Sequence, residues 1–440
     1  MGTVLWSNPV VDSATMSRRW LRVTLGLIAI LMLADFVFRG IVPAVSGSKN
    51  DFAEVYVGAW MWRHGQNFYD VPLTTATGNL IANTGVNIVL IYPPTALVLI
   101  APFTFLPWIS ANVLWLLLGL AGVAATIALL IKLAGFRAWD DRALLLGTYV
   151  LAFDPVHQAF HLGNVALFAV PLCFLGIYLA EKRDDFASGF ALCLAAALKP
   201  QLGVWVLAFY LLQLRRRVFL GALLPAVGLA LAFSRYPVPL ATLISSYRSN
   251  LQYWFGPGRL YGFTEGALPF HVNNTQVIFY QLLHRAQAAN LLAYGLFACS
   301  LMVWGLAVWR GRFRVPVPLA VASLLALSFV SLYHSVSDVT VLTLALCWAL
   351  QQDGEQRSWT KITACVLFLL LMLPGHSALM RLSPYMSPGI AESWWWRLFV
   401  ARYFVWLLVG INVVFLWALM DAAGNSTKYR TRARGLIAVE

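Results

Sequence analysis

Asp51 is an acidic residue placed just after the first long hydrophobic stretch of a predominantly apolar chain. A carboxylate at such a boundary has water on one side and lipid on the other, so it can accept a proton from a hydroxyl of a lipid-borne substrate. The sequence therefore predicts that Asp51 is a general base. Two alternatives stay open: Asp is also a favoured helix N-cap, and Glu54, one turn later, either assists the base or faces solvent.

Lys199 and His334 are the basic residues that could complete such a site. Each lies at the end of an apolar stretch, and a charged residue within a membrane segment is costly unless it faces a wet cavity. Lys199 is therefore a functional candidate by default. The alternative interpretations are that Lys199 extends to lipid head groups and that His334 is a hydrogen-bonded histidine at the end of a span.

Residues that could bind a metal are sparse. His157 and His161 are four residues apart, with Asp154 upstream, but a helical histidine pair without a clear third ligand is weak support for a metal site. The five cysteines lie in apolar stretches without CxxC spacing, which argues against zinc and against a disulfide framework. Asp51 is not part of a DxD pair. We therefore expect no metal site and no required divalent cofactor.

The composition places these residues in a polytopic helical membrane protein. Hydrophobic residues make up 60% of the 440 residues, charged residues make up 11%, and the mean hydropathy is +0.73. Many apolar stretches are near the roughly 20 residues that span a bilayer. The formal net charge of +13 comes from Lys and Arg clusters between these stretches, as expected for cytoplasmic loops, so we expect no nucleic-acid partner.

The basic clusters also predict the orientation of the chain. Arg18, Arg19 and Arg22 precede the first apolar stretch, so the N-terminus is expected to be cytoplasmic. Two apolar stretches lie between the following outer loop and the basic cluster at Lys132, yet an odd number of crossings must connect the two sides. Because the stretch 88–107 contains four prolines, it is expected to be re-entrant or to lie on the membrane surface.

This orientation predicts one integral membrane domain (1–440) with two long loops on the outer side. The first loop, 45–107, is expected to be partly helical, and the second is 235–289. Within the second loop, Arg248 and Arg259 lie among aromatic residues, where they could cover a lipid phosphate or anchor the membrane interface equally well. About twelve spans are expected, near 21–44, 109–134, 143–160, 164–181, 186–199, 201–214, 218–234, 290–309, 315–333, 337–352, 361–375 and 399–420.

Several short motifs follow one another along the chain. They are Asp51-Phe52 with Tyr56, Gly65 to Tyr69, Tyr92-Pro93-Pro94 followed by Pro102 and Leu106-Pro107, Gly163-Asn164, Lys199-Pro200, Asn273-Asn274-Thr275 with Arg285, and Tyr333-His334 with Asp338. In this order and spacing the motifs resemble glycosyltransferase family 87, whose members are of the GT-C type and use polyprenyl-phosphate sugars. The resemblance runs from about residue 20 to 420. It implies an all-α GT-C fold with juxtamembrane helices in the first outer loop.

The resemblance also implies a reaction. A sugar, mannose by family membership, would move with inversion from a polyprenyl phosphate to a hydroxyl of a lipid-linked or cell-envelope glycan, at the outer or periplasmic face of the cytoplasmic (inner) membrane. Such a transfer needs a base for the hydroxyl and cations for the phosphate, and Asp51 would be the base. Contacts to the donor phosphate or sugar are expected from Lys199, His334, Tyr92, Asn164, Asn273 and Asn274. Contacts to the acceptor or to lipid are expected from Glu54, Tyr56, Arg248 and Arg259.

Other interpretations remain at this point. Asn273 and Asn274 could simply cap the helix that follows them. A multi-pass transporter or lipid flippase would make no bond, and it would place ionisable residues near the bilayer midplane, commonly in a chain with two repeated halves. A membrane scaffold would explain the hydrophobicity but not the polar motifs. Because the candidate residues are expected at one face and no repeat is visible, the sequence favours the enzyme.

Overall fold

The computed structural model describes residues 13–46, 51–259, 261–264, 273–311, 315–351, 359–373 and 375–437. Within these ranges the regular secondary structure is helical, which confirms the all-α prediction. Residues 47–50 of the first long loop, and 260 and 265–272 of the second, lie outside the described residues.

The chain order of the helices is as follows. The α-helices are α1 (Ser13–Phe36), α2 (Val42–Ser46), α3 (Asp51–Arg63), α4 (Val71–Ala82), α5 (Pro94–Ile100), α6 (Trp108–Ala134), α7 (Asp141–Ala152), α8 (Asp154–His161), α9 (Ala166–Glu181), α10 (Asp185–Leu198), α11 (Pro200–Leu212), α12 (Arg216–Ser234), α13 (Leu240–Phe255), α14 (Thr275–Leu283), α15 (Ala286–Arg310), α16 (Val317–Ser331), α17 (Leu344–Ala349), α18 (Trp359–Met372), α19 (Gly375–Leu382), α20 (Pro388–Ala391) and α21 (Tyr403–Ile437). Short 3₁₀ segments are Ala101–Phe105, Val336–Thr343 and Ser383–Tyr385, and π-helical turns are Val37–Ile41 and Trp396–Val400.

Five helical stretches of the described chain are long and apolar enough to cross a bilayer. They are Trp20–Val45, Trp108–Ala134, Arg216–Ser234, Ala286–Arg310 and Tyr403–Gly424, and they contain 19 to 27 residues each. Several further apolar helices have 10 to 17 residues and pack among the long ones. The protein is therefore a multi-pass membrane protein, as predicted, although these lengths do not confirm the count of about twelve spans.

Two of the predicted spans are interrupted. The stretch 143–160 is divided between α7 and α8 by Phe153, which has extended backbone angles. Pro155 explains the break, because a proline is tolerated in the first turn of a helix but cannot continue one. The stretch 337–352 begins as the 3₁₀ segment Val336–Thr343 and becomes α-helical only at Leu344.

The first long loop is folded into helices that pack on the start of α6. Phe52 in α3 is fully buried and stacks against Trp108 and Trp115, at ring-centroid distances of 5.5 and 4.3 Å. The last residue of α3, Arg63, donates to the carbonyl and the hydroxyl of Thr104, both at 2.8 Å. These contacts fix the start of α3, where Asp51 lies, against α6.

The segment predicted to be re-entrant is a short helix. Pro94–Phe105 has 12 residues, fewer than the roughly 20 that span a bilayer. The 88–107 segment packs closely on α3 at Gly58. A Cβ atom added to Gly58 would come within 2.7 Å of the Leu90 side chain and 3.1 Å of the Leu97 side chain. Whether the segment crosses the membrane stays a prediction.

The centre of the bundle is α16. Every residue from 319 to 331 is buried, as expected for a helix that is apolar on all sides and surrounded by other helices. It packs against α11, α15 and α21. The chain then leaves α16 at Leu332 with extended backbone angles, so Tyr333 and His334 follow a firmly held helix end.

Candidate active site

The Asp51 carboxylate lies where three distant parts of the chain meet. Its Oδ2 atom accepts hydrogen bonds from the Tyr92 hydroxyl, at 3.2 Å, and from the Asn164 side-chain amide. The backbone amide of Asp51 donates to the Leu162 carbonyl at 2.7 Å. The structure thus brings together Asp51, Tyr92 and Asn164, which were predicted separately. The described bonds of the carboxylate thus go to residues outside α3 and not to the backbone of the helix that Asp51 begins.

Asn164 is oriented by its own surroundings. Its Oδ1 atom accepts from the backbone amide of Ala166, the first residue of α9, at 2.9 Å, so the side-chain nitrogen points towards Asp51. The preceding Gly163 has a positive φ of 61°, which glycine adopts without steric cost. The Gly163 carbonyl accepts from the Trp115 indole at 3.0 Å. A loop of unusual geometry is therefore held against α6, and it presents one amide donor to the carboxylate.

The surroundings of Asp51 and Glu54 raise the pKa of both carboxyl groups. Burial raises the pKa of Asp51, while the bond from Asn164, the charge of Lys199 and the bond from Tyr92 oppose this rise. Burial and the neighbouring Asp51 charge raise the pKa of Glu54 to about 8. Because Asp51 has donors on its carboxylate, hydrogen bonding favours the charged form of Asp51 and opposes the effect of burial on its pKa. Of the two alternatives for Glu54, the structure favours the one beside the base, since Glu54 is half-buried.

Lys199 and His334, both predicted, lie in a second cluster that contains Asp338. Lys199 joins α10 to α11 and is only 4% exposed. Its ammonium forms an ion pair with Asp338 and donates to the Ser335 hydroxyl at 3.2 Å. The His334 Nδ1 atom is 3.6 Å from Asp338 Oδ2, and its Nε2 atom is 3.0 Å from the Ser328 hydroxyl. The alternative that Lys199 extends to lipid head groups is therefore incorrect, because its ammonium is paired with the buried Asp338 carboxylate.

Asp338 is the site residue to which the sequence motifs assigned no role. It is fully buried, and its carboxylate also accepts from the Ser335 backbone amide at 3.1 Å. The signal was present in the sequence: an acid in an apolar stretch needs a partner, and Asp338 is four residues after His334. The partner Lys199 could not be inferred from spacing, because 139 residues separate the two in the chain.

The two clusters are joined by one short turn. Tyr92 bonds to Asp51, and three residues later Thr95 donates to the Ala197 carbonyl at 2.7 Å, two residues before Lys199. Asp51 also interacts electrostatically with Lys199 and Asp338. The arrangement therefore places a proton acceptor and a buried ammonium at one site. This combination can deprotonate a hydroxyl and bind an anionic leaving group.

Asn273 and Asn274 are buried near the end of α16. Asn274 occupies the N-cap position of α14, but its side chain donates to Gln276 Oε1 at 2.9 Å and forms no side-chain cap bond. Asn274 therefore occupies the cap position that the alternative interpretation expected, but without a side-chain cap bond. Among the described residues, Asn273 Nδ2 and Asn274 Oδ1 have no hydrogen-bond partner. Thr275 donates to the Val330 carbonyl at 2.7 Å, which places this turn three residues before Tyr333.

Three predicted contact residues lie elsewhere. The buried Tyr56 donates its hydroxyl to the Leu106 carbonyl at 2.8 Å and packs on Trp108, so it acts as a link between α3 and α6. Arg248 and Arg259 are exposed, and the Arg259 guanidinium lies 5.4 Å from the centre of the Tyr253 ring. The described contacts connect neither arginine to Asp51.

The structure places the two histidines of the candidate metal pair in different surroundings. His157 is buried with a ring nitrogen against the Leu151 carbonyl, whereas His161 is exposed. Across the described residues, no group of three His, Cys, Asp or Glu side chains could hold a metal ion.

The sequence analysis did not predict the ion pairs that Arg39 forms with two acidic residues. Arg39, in the π-helical turn Val37–Ile41, pairs with Asp154 and with Asp35. Asp154 opens α8, and the residue after α8, Leu162, accepts the Asp51 backbone amide. These ion pairs could have been expected, because Asp35 and Arg39 are charged residues within the first apolar stretch and such residues need partners. The pair fixes α8, and with it the turn that carries Asn164.

These features define a multi-pass membrane protein, helical throughout its described residues, with a hydrogen-bonded carboxylate and a buried ammonium at one site. The sequence model of glycosyltransferase family 87 matches residues 90–335, more than half of the chain. The chain belongs to glycosyltransferase family 87 and is a glycosyltransferase. This match confirms the resemblance and contains Tyr92, Lys199 and His334, whereas Asp51 precedes it.

One curated relative extends the similarity to almost the whole chain. The polyprenol-phosphate-mannose-dependent alpha-(1-2)-phosphatidylinositol mannoside mannosyltransferase of Mycobacterium tuberculosis is 26% identical over 98% of both chains. Among solved structures, apo ArnT from Cupriavidus metallidurans is 14% identical and covers 94% of this chain and 78% of its own, with a TM-score of 0.33. Membership of family 87 implies the GT-C type.

Proposed function

We propose that this protein transfers mannose from a polyprenyl-phosphate donor to a hydroxyl of a lipid-linked or cell-envelope glycan, at the outer face of the cytoplasmic membrane. The observation that carries the proposal is the Asp51 carboxylate, held by two neutral donors beside the buried Lys199 ammonium in a family 87 chain. The printed name of the Mycobacterium tuberculosis relative supports both the donor class and the sugar.

The proposed reaction is a single displacement at the anomeric carbon. Asp51 takes the proton of the acceptor hydroxyl as its oxygen attacks that carbon. The bond from carbon to phosphate oxygen breaks, and its electron pair leaves with the polyprenyl phosphate. One carboxylate suffices because no sugar is bound covalently to the protein, in contrast to retaining glycosidases, which need a second carboxyl group as the nucleophile.

Lys199 is proposed to stabilise the leaving phosphate. An ammonium has three N–H donors, and its described bonds to Asp338 and Ser335 use two of them. The third is then available for a phosphate oxygen. His334 lies with its ring nitrogens towards Asp338 and the Ser328 hydroxyl, and it is proposed to donate to this oxygen by exchanging its contact with Ser328. The ammonium is held in place before the phosphate arrives, so little reorganisation is needed as charge develops.

The proposal is tested with purified protein in lipid nanodiscs. A panel of polyprenyl phosphates that carry mannose, glucose or arabinose is supplied with a glycolipid acceptor, and loss of sugar from each donor is measured. We expect mannose transfer, with Asp51→Asn as the inactive control. A transporter or flippase would instead move lipid across the bilayer with every donor intact, and that result would refute the proposal.

The outer location is tested by thiol labelling in intact cells. In a variant without the five native cysteines, single cysteines replace Asn83 and Ser110, which are exposed at either side of the 88–107 segment. We expect both to react with an impermeant thiol reagent. The matched control is Trp139→Cys, 92% exposed in the α6–α7 turn, which should react only after the cells are opened. Labelling at 83 without labelling at 110 would mean that the segment crosses the membrane.

A further inference from the structure

Two tyrosines from different parts of the chain meet beside the proposed active site. Tyr333 lies directly before His334, and Tyr261 belongs to the second long loop. Their ring centres are 5.2 Å apart, and their hydroxyls are hydrogen-bonded to each other. Phe255 contacts both rings, with centre distances of 4.6 Å to Tyr333 and 5.8 Å to Tyr261.

The second long loop is attached to the first close to this tyrosine pair. Trp254 packs on Tyr261 at 5.3 Å and donates its indole N–H to the Val89 carbonyl at 2.8 Å. Asn250, one turn earlier in α13, donates to the Leu90 carbonyl at 2.9 Å. Both carbonyls lie just before Tyr92, so the loop that carries Tyr261 is fixed to the segment that bonds to Asp51.

The tyrosine pair is connected to both clusters of the site. Tyr333 directly precedes His334 of the ammonium cluster. Tyr261 packs on Trp254, which is bonded to the segment that leads to Tyr92 and so to Asp51. In a transfer from phosphate to hydroxyl, the sugar ring must lie between the base and the phosphate, because the anomeric carbon is bonded to one and attacked from the other side.

The pair differs from the buried tyrosines that support the fold. Tyr69 and Tyr149 are almost completely buried, and each donates its hydroxyl to a backbone carbonyl, of Tyr92 and Phe368 respectively. Tyr261 and Tyr333 are half-buried, and their hydroxyls bond to each other. A partly exposed ring keeps a face that can contact a ligand, and a hydroxyl pair can exchange its mutual bond for bonds to sugar hydroxyls.

We propose that Tyr261 and Tyr333 bind the sugar that is transferred and hold its ring between Asp51 and Lys199. The C–H groups of a pyranose face carry partial positive charge and pack on the electron-rich face of an aromatic ring, while the phenol hydroxyls bond to the ring hydroxyls. This inference rests on the proposed function, and it adds a sugar-binding role for the second long loop. Correct placement matters because small displacements of a reacting atom can slow a reaction by about 100-fold.

The test separates sugar binding from phosphate binding. Dissociation constants are measured in nanodiscs for polyprenyl phosphates that carry mannose, glucose or arabinose, and for sugar-free polyprenyl phosphate of the same chain length. We expect the wild-type protein to bind one sugar-bearing donor more tightly than the sugar-free lipid, by on the order of tenfold. Tyr333→Leu and Tyr261→Leu should remove most of this preference and leave the affinity for the sugar-free lipid unchanged.

Controls distinguish this effect from a general loss of structure. Tyr253→Leu changes an exposed tyrosine of the same loop, 44% exposed, and should keep the preference. The double variant Lys199→Met with Asp338→Leu, which removes both buried charges together, should weaken binding of both lipids to the same degree. Where a Leu variant does not show a wild-type thermal transition, Tyr333→Phe, which removes only the hydroxyl, should still reduce the preference measurably.

The proposed sugar site and the proposed function fail in different ways. Wild-type protein that binds all four lipids equally, or a folded Tyr333→Leu variant that keeps the full preference, would overturn the sugar site. Wild-type protein that binds a sugar-bearing donor preferentially but transfers no sugar would refute the proposed function and leave the sugar site standing.

Discussion

Asp51 and Asp338 are acids of the same site with different kinds of partners. Asp51 is bonded to an amide and a phenol, both neutral. Asp338 is fully buried against the Lys199 ammonium, with His334 beside it. A carboxylate that has neutral donors can still take a proton, whereas one that is paired with a buried cation is held ionised. The partners therefore support the proposal that Asp51 is the base and that Asp338 positions Lys199.

The largest effect should come from Asp51→Asn. The amide keeps the size of the side chain but cannot accept the proton, so the transfer rate should fall by about 10²- to 10⁴-fold. Donor binding and the thermal transition should stay close to wild type, because Asp51 has no cationic partner within bonding distance among its described contacts. The measurement is transfer rate beside donor affinity. Near-normal transfer would contradict the role of Asp51 and make Glu54 the next acid to test.

Asp338→Asn should act through stability. It leaves the Lys199 ammonium buried without its counter-charge, which costs about 3 to 5 kcal/mol in free energy of unfolding. The thermal transition should therefore fall clearly, in contrast to Asp51→Asn. The double variant Lys199→Met with Asp338→Leu removes both charges and should recover much of the lost stability without recovering transfer. A stable, active Asp338→Asn variant would contradict the assigned role of the ion pair.

Glu54 should make the stability of the protein depend on pH between about 4.5 and 8. Its pKa is raised from 4.5 to about 8, so the folded protein keeps a proton that the unfolded chain has lost. Stability from this residue is therefore full below about pH 4.5 and decreases as pH rises towards about 8. In Glu54→Gln, which stays neutral, the fall in melting temperature over this range should be smaller. Identical profiles for both proteins would place Glu54 in solvent.

The smallest effect is expected from chelation. Because the proposed reaction assigns the phosphate charge to Lys199 and His334, transfer should continue at an unchanged rate in EDTA. The assay compares rates before and after chelation, then after addition of Mg²⁺ or Mn²⁺. A loss in EDTA that either metal restores would mean that a divalent cation stabilises the phosphate charge together with Lys199. The site would then contain a third charged group beside the two acids and their partners.

The fold class was predictable because it depends on composition. A chain with 60% hydrophobic residues and charges clustered between apolar stretches can bury its surface only as helices in a bilayer. Breaks inside apolar stretches were harder to predict, since 337–352 reads as one apolar run although its first half is a 3₁₀ segment. The break at Phe153 was signalled by Pro155, but the apolar residues around it masked that signal.

Asp51, Lys199 and His334 could be chosen from the sequence because each is a polar side chain at the edge of an apolar stretch. Placing an ionisable side chain there costs free energy, so its presence indicates a function without knowledge of its partners. Their partners were decided by tertiary structure. The bonds from Asn164 to Asp51 and from Lys199 to Asp338 join residues 113 and 139 positions apart, and such contacts depend on how the helices pack. The same packing buries Glu54 and brings Tyr261 onto Tyr333, since spacing along one helix carries no information about the surface of another.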